Sequence, residues 1–474
     1  MAALRRRGAK VGAAKVGPDF IDPGYHRLAV GHPSRNLDAF LSPASLLPSL
    51  AARASEGRDI LVIEGVMGLF DGAYDSGPRP LPGATGGTAG ASAERSVPAP
   101  SLAVASTASV AALTGTPVVL VVDASKLHQS VAALVHGFAT WSPDVPLRAV
   151  ILNRVGSDAH EEGLRRALES LGMPVFGVLR RDEAFAWRDR HLGLVPVAER
   201  PTEISTALKA LAAAVESSVN LDAVIRLAAS AAPIDAPPLP AAAPRATAGG
   251  AGSTRRPRIA VAGGPAFTFV YPDNLERFEE AGAELVPIDP MIDEGLPTRA
   301  DGSLEIDGIY AGGGFPEVYA EQLSTNRPML EHVAAAATMG VPIWAECGGL
   351  LWLASALDGR TLCGVVPATA RMTQRLTLGY RTATVRRHNP VAAVSETLRG
   401  HEFHYSQIDP AGDALSLASH RETSLEGYAT PSLLATYLHL HLGADPAPAE
   451  RFVAAAATWR RIQDQSNGGR GARS

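Results

Sequence analysis

Two stretches of the chain hold residues whose types and spacing could do chemistry. In VPIWAECGGLLWL, residues 341–353, an apolar strand-like run stops at Glu346-Cys347-Gly348-Gly349 and restarts at once as an apolar helix-like run. Two glycines cost helix stability, so the sequence sets a sharp strand-turn-helix with a thiol at its apex. These are the mechanics of a nucleophile elbow: the turn lifts the side chain out of the sheet, and Gly348 and Gly349 leave room for backbone N–H groups to face an oxyanion. The dipole of the following helix favours a thiolate. The competing reading, a buried apolar cysteine beside a turn, suits Cys363 in TLCGVV better. A thiolate nucleophile needs a base, which can lie far away in sequence. In LLATYLHLHLGADP, strand alternation sets His439 and His441 on one face, so either can serve. IDGIYAGGGFPEVY ends a strand on Gly312-Gly313-Gly314, whose bare backbone can approach a carbonyl and donate N–H groups to the oxyanion.

The second stretch is rich in hard oxygen ligands. KVGPDFIDPGYH crowds Lys15, Asp19 and Asp22 among turn-forming residues, and ILVIEGVMGLFDGAYD places Glu64 where a buried strand ends, followed by Gly65, Gly68, Asp71 and Gly72. Any one of these acids alone reads as a solvated turn residue. Gathered at strand ends, they suit Mg²⁺ and a phosphorylated ligand.

The elements that must position these residues are α/β. DILVIEGV, TPVVLVVDAS, LRAVILNRVG and VFGVLRR read as strands, and ASVAALT, SVAALVHGFATW and EEGLRRALESLG as helices. Such alternation predicts a mostly parallel sheet flanked by helices, with ligands at the carboxyl ends of its strands. A second unit of the same kind follows in RPRIAVAGG, NLERFEEAGA, AELVPIDP, IDGIYAGGG, EHVAAAATMG and VPIWAEC. At 474 residues the chain is too long for one ordinary core. The expected division is 1–231, a Pro/Ala/Gly/Ser linker over 232–256, a second domain over 257–463 and a disordered tail over 464–474, with a mobile surface loop over 75–101. A net charge of -5 and a pI near 6.2 argue against nucleic acid or anionic membrane as a partner. With mean hydropathy +0.06, the apolar runs are strand-sized and none approaches the roughly 20 residues a membrane span needs. The basic start MAALRRRGAKVG has no apolar core before a cleavage site, so a signal peptide is rejected and the cytoplasm expected. The 2 cysteines exclude a disulfide framework and a Cys-x-x-Cys metal pair.

YAGGGFPE, WAECGGL and YLHLHLGADP together resemble the class I glutamine amidotransferase domain in the form found in corrin-ring amidotransferases. By that resemblance Cys347 is the nucleophile and His439 its base, with His441 the runner-up, and Gly313, Gly314 and Gly348 bind the oxyanion and glutamine. Common class I glutaminases carry a glutamate two residues after the histidine. His441 stands there instead, as in the corrin branch, which uses a Cys-His pair. The first-half motifs, with NLDAFL and TPVVLVVDAS, resemble the synthetase domain of the cobyrinic acid a,c-diamide synthase family, a relative of dethiobiotin synthetase. The resemblance covers nearly all of the chain outside linker, loop and tail. It implies an ATP-dependent carbon–nitrogen ligase with glutamine as nitrogen donor, which amidates the a and c acetates of cobyrinic or hydrogenobyrinic acid. Its cofactors are ATP and Mg²⁺. Its partners are a corrin ring, L-glutamine and ATP, with a homodimer left open. Lys15 would contact phosphate, Asn153 would read the adenine edge, and Glu64, Asp19 and Asp22 would arrange Mg²⁺, nucleotide and substrate carboxylate. Asp71 would lie close to the reacting side chain.

One motif of that family is missing: no G-x-x-x-x-G-K-[ST] occurs in these residues. A P-loop wraps phosphates with backbone N–H groups and a lysine. The natural chain is therefore expected to begin further upstream, and the chain as written to hydrolyse glutamine but make amide poorly. Two alternatives stand beside the leading reading: a cobyric acid synthase-like amidotransferase, and a non-catalytic binding protein that has lost its ATP site.

Overall fold

The computed structural model of the chain describes residues 1–73, 102–182, 189–190, 193–241, 255–420 and 422–471. The loop expected over 75–101 lies outside the described residues, as does 242–254 of the linker. The segment expected as a tail continues the helix Ala447–Gly471 as far as it is described.

The first half forms two three-stranded parallel sheets, each flanked by helices. One runs Arg35–Leu37, Val11–Val16, Ile60–Glu64 in spatial order, and the other Val118–Asp123, Leu147–Val155, Val175–Arg180. Parallel register sets Lys15 between Asn36 and Glu64, which is how the strand ends collect the chemistry-bearing residues. Among the described residues, Ile60–Glu64 and Val118–Asp123 each pair on one side only. Leu61, Val62 and Ile63 are accordingly half-buried, where the apolar run predicts a buried strand, and Val121 is exposed.

The second half holds a six-stranded sheet in the order Glu284–Ile288, Arg258–Ala262, Gly308–Ala311, Ile343–Glu346, Leu433–Thr436, Tyr428–Thr430, parallel except at the last pairing. Ile343–Glu346 is central and wholly buried. Trp344 is fixed on one face by Phe278, Tyr310 and Phe452, with ring centroids 5.5 to 5.8 Å away, so the strand that carries the thiol is held by aromatic packing. Beside it lies a seven-stranded sheet, largely antiparallel, built on the pairing of Val366–Val385 with Thr397–Asp409.

LLATYLHLHLGADP, expected as one strand, divides between these two sheets: Leu433–Thr436 ends the parallel pairing and His439–Leu440 pairs with Thr397–Asp409. Between them the Tyr437 N–H donates to the Glu426 carboxylate at 3.1 Å and the Leu438 N–H to Thr436 Oγ1 at 2.9 Å. Side-chain acceptors replace the ladder there and let the backbone change sheets.

The halves meet over a polar and aromatic seam. Arg35 binds Asp273 at 2.6 Å and Glu276 at 2.9 Å, the Tyr380 hydroxyl donates to Asp38 at 2.6 Å, and the Tyr271 hydroxyl donates to the Pro18 carbonyl at 2.9 Å. Among the described residues no helix is long and apolar enough to cross a membrane.

Candidate active site

Cys347 stands between the strand Ile343–Glu346 and the helix Gly348–Leu353 with φ +48° and ψ -98°. An L-residue pays for that conformation in strain, and the surroundings enforce it: the Cys347 N–H donates to the Thr436 carbonyl at 2.7 Å and the Gly349 N–H to the Gly312 carbonyl at 3.0 Å. The glycines answer a steric demand. A Cβ on Gly349 would lie 2.2 Å from the Ala311 carbonyl oxygen, and one on Gly348 would lie 2.9 Å from the Gly314 nitrogen.

The thiol is buried, and its Sγ–H points to the Phe403 carbonyl at 3.7 Å. Burial, then the charge of Glu317, pushes it well above the usual thiol range, against the smaller pull of the Gly348 N–H on sulfur. The resting thiolate expected from the helix dipole is thus corrected: the helix spans only 6 residues and desolvation outweighs it. The thiol rests neutral and needs a base.

His439 is wholly buried and held down to about 3 by burial, then by its neighbours His401 and His404, so it rests as a neutral imidazole. It abuts the same glycine as the elbow. A Cβ on Gly313 would lie 2.4 Å from His439 Cε1, and one on Gly348 would lie 3.3 Å from the Gly313 carbonyl carbon. His441 has other company: Ser42 Oγ at 3.3 Å, Asp273 Oδ2 at 3.6 Å and the edge of Tyr271. Burial pushes the Asp273 carboxyl up, but the bond to His441 and the charge of Arg35 outweigh it and hold it well below the usual range. His441 therefore belongs to the seam. Of the expected oxyanion donors, Gly313 already gives its N–H to the Phe269 carbonyl at 3.1 Å, and the Gly349 N–H is likewise taken; Gly314 and Gly348 adjoin each other, with the Gly348 N–H directed at the Cys347 sulfur.

Sequence reasoning passed over HEFHYS, on the strand Thr397–Asp409. Its Phe403 carbonyl meets the thiol, Glu402 pairs with Arg381 at 2.6 Å, and His404 stacks on Tyr437 at 3.7 Å between centroids. Two histidines, an acid and two aromatic rings within six positions were the available signal. It also passed over Glu346, whose Oε2 lies 3.8 Å from His439 Nδ1.

In the first half, Lys15 Nζ is buried and reaches Asp22 at 2.7 Å, the Gly65 carbonyl at 2.9 Å and Glu64 at 3.4 Å. Glu64 also meets His26 Nε2, a partner the sequence reading missed. Burial pushes the Asp22 carboxyl up, but Lys15 outweighs it and holds it below its ordinary value. Asp19 accepts the N–H groups of Ile21 at 2.9 Å and Asp22 at 3.2 Å, the first two residues of the helix Ile21–Val30. Burial, then Asp22, raises it to about 6. Asp71 accepts from the Gly68 N–H at 3.0 Å and Asn153 from the Arg154 N–H at 2.9 Å, local bonds that do not reach the Lys15 cluster. Among the described residues no group of three His, Cys, Asp or Glu is arranged to hold a metal ion. The carboxylates of Asp19, Asp22 and Glu64 gathered about one lysine are hard oxygen donors of the kind that bind Mg²⁺ beside a phosphate.

At the junction of the halves lies a cavity of about 570 Å³ whose walls include Asp19, Phe20 and Met67 from the first half and Tyr380, Arg381 and Phe403 from the second. Phe20, beside Asp19, packs against the His439 ring at 4.8 Å between centroids.

A strained thiol at the end of a parallel sheet, a buried imidazole carried by the neighbouring antiparallel sheet and a lysine–carboxylate cluster in the other half together define a two-site α/β enzyme. The CobB/CobQ-like glutamine amidotransferase domain family matches residues 258–447, and the CobQ/CobB/MinD/ParA nucleotide binding domain family matches residues 1–194. The hydrogenobyrinate a,c-diamide synthase of Streptomyces coelicolor is 43% identical over 96% of this chain and 92% of its own length. That of Thermobifida fusca is 42% identical over 97% and 93%, and the cobyrinate a,c-diamide synthase of Dehalococcoides mccartyi 38% over 95% and 93%. The chain belongs to this a,c-diamide synthase family. A solved structure of PurLQS from Thermotoga maritima matches 43% of this chain and 99% of its own at 15% identity with a TM-score of 0.29, too weak a likeness to bear on the fold.

Proposed function

We propose that the chain takes nitrogen from glutamine and uses ATP to convert the a and c acetate carboxylates of cobyrinic or hydrogenobyrinic acid to amides in cobalamin biosynthesis. The observation that carries this reading is the Cys347 elbow at φ +48°, with the buried His439 against Gly313 beside it, in a chain whose two halves match a glutamine amidotransferase and a nucleotide-binding family. Cys347 adds to the glutamine carboxamide as His439 takes its proton, and the Gly314 and Gly348 N–H groups face the oxyanion. Ammonia is released beside the junction cavity, where the acetate edge of the corrin is seated. ATP, when bound, supplies the phosphoryl group that makes that carboxylate an electrophile. Lys15 would hold phosphate oxygens, Glu64 with Asp19 would hold Mg²⁺, and Asp22, paired with Lys15, would face the substrate carboxylate. Asn153 reads the base and Asp71 borders the acceptor. The synthetase half spans 1–231, the linker 232–256 and the glutaminase half 257–463; the enzyme works in the cytoplasm on these small molecules.

Cys347→Ala tests the reading. Glutamate release from glutamine is expected to fall by about 10³-fold or more, while amide formation from ammonium chloride persists. Glutamine-driven amidation surviving that substitution would defeat the assignment.

A further inference from the structure

Neither ring nitrogen of His439 has a hydrogen-bond partner among the described residues. The position two residues on, where common class I glutaminases carry a glutamate, is His441, and it is engaged at the seam with Ser42 and Asp273. A carboxylate does stand beside His439, from elsewhere. Glu346 Oε2 lies 3.8 Å from His439 Nδ1, and both side chains are buried. Two further bonds aim the Glu346 carboxyl: the Tyr310 hydroxyl donates to Oε2 at 3.1 Å, and the N–H of Leu440, the residue after His439, donates to Oε1 at 3.3 Å. The carboxylate is thus tied both to the sheet and to the segment that bears the imidazole.

We propose that Glu346, the residue immediately before the nucleophile, is the positioning carboxylate of the glutaminase site: it orients His439 through Nδ1 and leaves Nε2 to the Cys347 thiol. The inference rests on the glutaminase reading of Cys347 and His439. In the step it serves, the Sγ proton passes to Nε2 as sulfur bonds to the carboxamide carbon. The imidazolium then presents Nδ1–H to Glu346. The Nε2 proton leaves with the amide nitrogen as the C–N bond breaks and ammonia departs. Water attacks the thioester, giving one proton to His439 and its hydroxyl to the carbonyl carbon; glutamate departs and the proton returns to sulfur.

The arrangement has a pH signature. Burial pushes the Glu346 carboxyl up to about 8, against the bonds from Leu440 and Tyr310. The titratable groups facing it are Tyr310, Tyr271, His439 and Cys347; burial raises both tyrosines and the thiol, and His439 is neutral, so none carries charge near pH 8. As a carboxylate, Glu346 accepts from Nδ1–H and frees Nε2 as base; as a neutral acid it competes for the lone pair it should direct. Glutamine hydrolysis therefore rises with pH through about 8.

Glu346→Gln tests this. Glutamine is isosteric with the neutral acid, so the fold is expected to survive, which a thermal melt checks. We expect kcat for glutamate release to fall about tenfold or more, KM for glutamine to stay within about twofold because Glu346 lies behind the imidazole, and the rise through pH 8 to vanish. Glu346→Asp, which restores a carboxylate, is expected to restore the rise, and it is the arm that decides should the glutamine variant fail to fold. A Glu346→Gln enzyme that keeps kcat and the rise, or loses rate equally at every pH with the rise intact, overturns the assignment. A parent chain that releases no glutamate from glutamine overturns the underlying reading first.

Discussion

The two halves prepare their chemistry in opposite ways. Around Cys347 the reacting groups are dry and uncharged: the thiol and imidazole are buried and rest neutral, and the thiol stands on a strained backbone. Around Lys15 the groups are charged and mutually paired, and the Glu64 side chain remains 46% exposed. The difference follows from what each site must handle. A nucleophile that attacks an uncharged amide gains from desolvation and from a fixed elbow, since charge appears only during the reaction. A site for a highly charged phosphate ester and its metal must keep standing charges and leave them reachable. Phe20 belongs to the loop of the second kind of site and packs on the base of the first.

The sharpest way to break this contrast is to compare the two histidines that the sequence left as alternatives. His439→Ala removes the base for the thiol and is expected to cut glutamine hydrolysis by about 10³- to 10⁴-fold, with ammonium-driven amidation retained. His441→Ala opens a seam contact with Ser42 and Asp273 and is expected to cost stability on the order of 1 to 3 kcal/mol, because it leaves Asp273 with one fewer partner, while glutamate release stays within a few-fold. Initial rates and thermal melts of both variants check this, and a larger rate loss for His441→Ala would reverse the roles.

Sequence alone could not choose between them, and the reason is physical. The elbow was legible because all its parts lie within thirteen consecutive residues, from the strand 343–346 through the glycines to the helix 348–353. The histidine segment has no such autonomy: the chain leaves one sheet at Thr436 and enters another at His439, a change dictated by Glu426 and Thr436 side chains acting as acceptors. Alternation along a single imagined strand therefore said little about which ring meets which neighbour. The seven-stranded sheet went unread for a related reason. VPATARMTQRLTLGYRTATV keeps polar residues at many positions because much of that strand is only half-buried. The parallel strands, with their continuous apolar runs, announced themselves. Likewise Lys15, Asp22 and Glu64 were visible as a crowd of charges, whereas the His26 contact to Glu64 depends on a helix packing back over its strand.

On the charged side, Lys15→Ala separates the halves from the other direction. Removing the ammonium leaves Asp22 and Glu64 facing each other without their shared cation and removes a phosphate contact. Amidation driven by ammonium salts is expected to fall about 10²- to 10³-fold, with glutamate release from glutamine within about threefold of the parent. Parallel assays of amide and glutamate give the two numbers. Equal losses in both would mean that the sites are one cooperative unit and that the contrast drawn above is false.

The smallest expected effect concerns Asp19, which carries a cost that the elbow does not. Its folded carboxyl titrates at about 6 against an ordinary 3.8, raised by burial and then by Asp22. For an acid raised on folding, the native state binds the proton more tightly than the unfolded chain, so its contribution is most favourable below 3.8 and is lost as pH climbs to about 6. Above that window the charged carboxylate works against the fold by about 3 kcal/mol, which is the strain a standing negative charge imposes where a cation is to be held. Asp19→Asn removes the charge and keeps one side-chain oxygen, which can accept from only one of the Ile21 and Asp22 N–H groups now held by separate oxygens. The variant is expected to melt higher than the parent at pH 7.5, to fall below it near pH 3.5 by the lost bond, and to show a flatter stability profile between pH 4 and 6. Denaturant titrations across that range measure the difference directly. A variant that gains nothing at pH 7.5 would show that Asp19 already rests in balance with Lys15 and its neighbours, and that the charged site is as relaxed at neutrality as the neutral one.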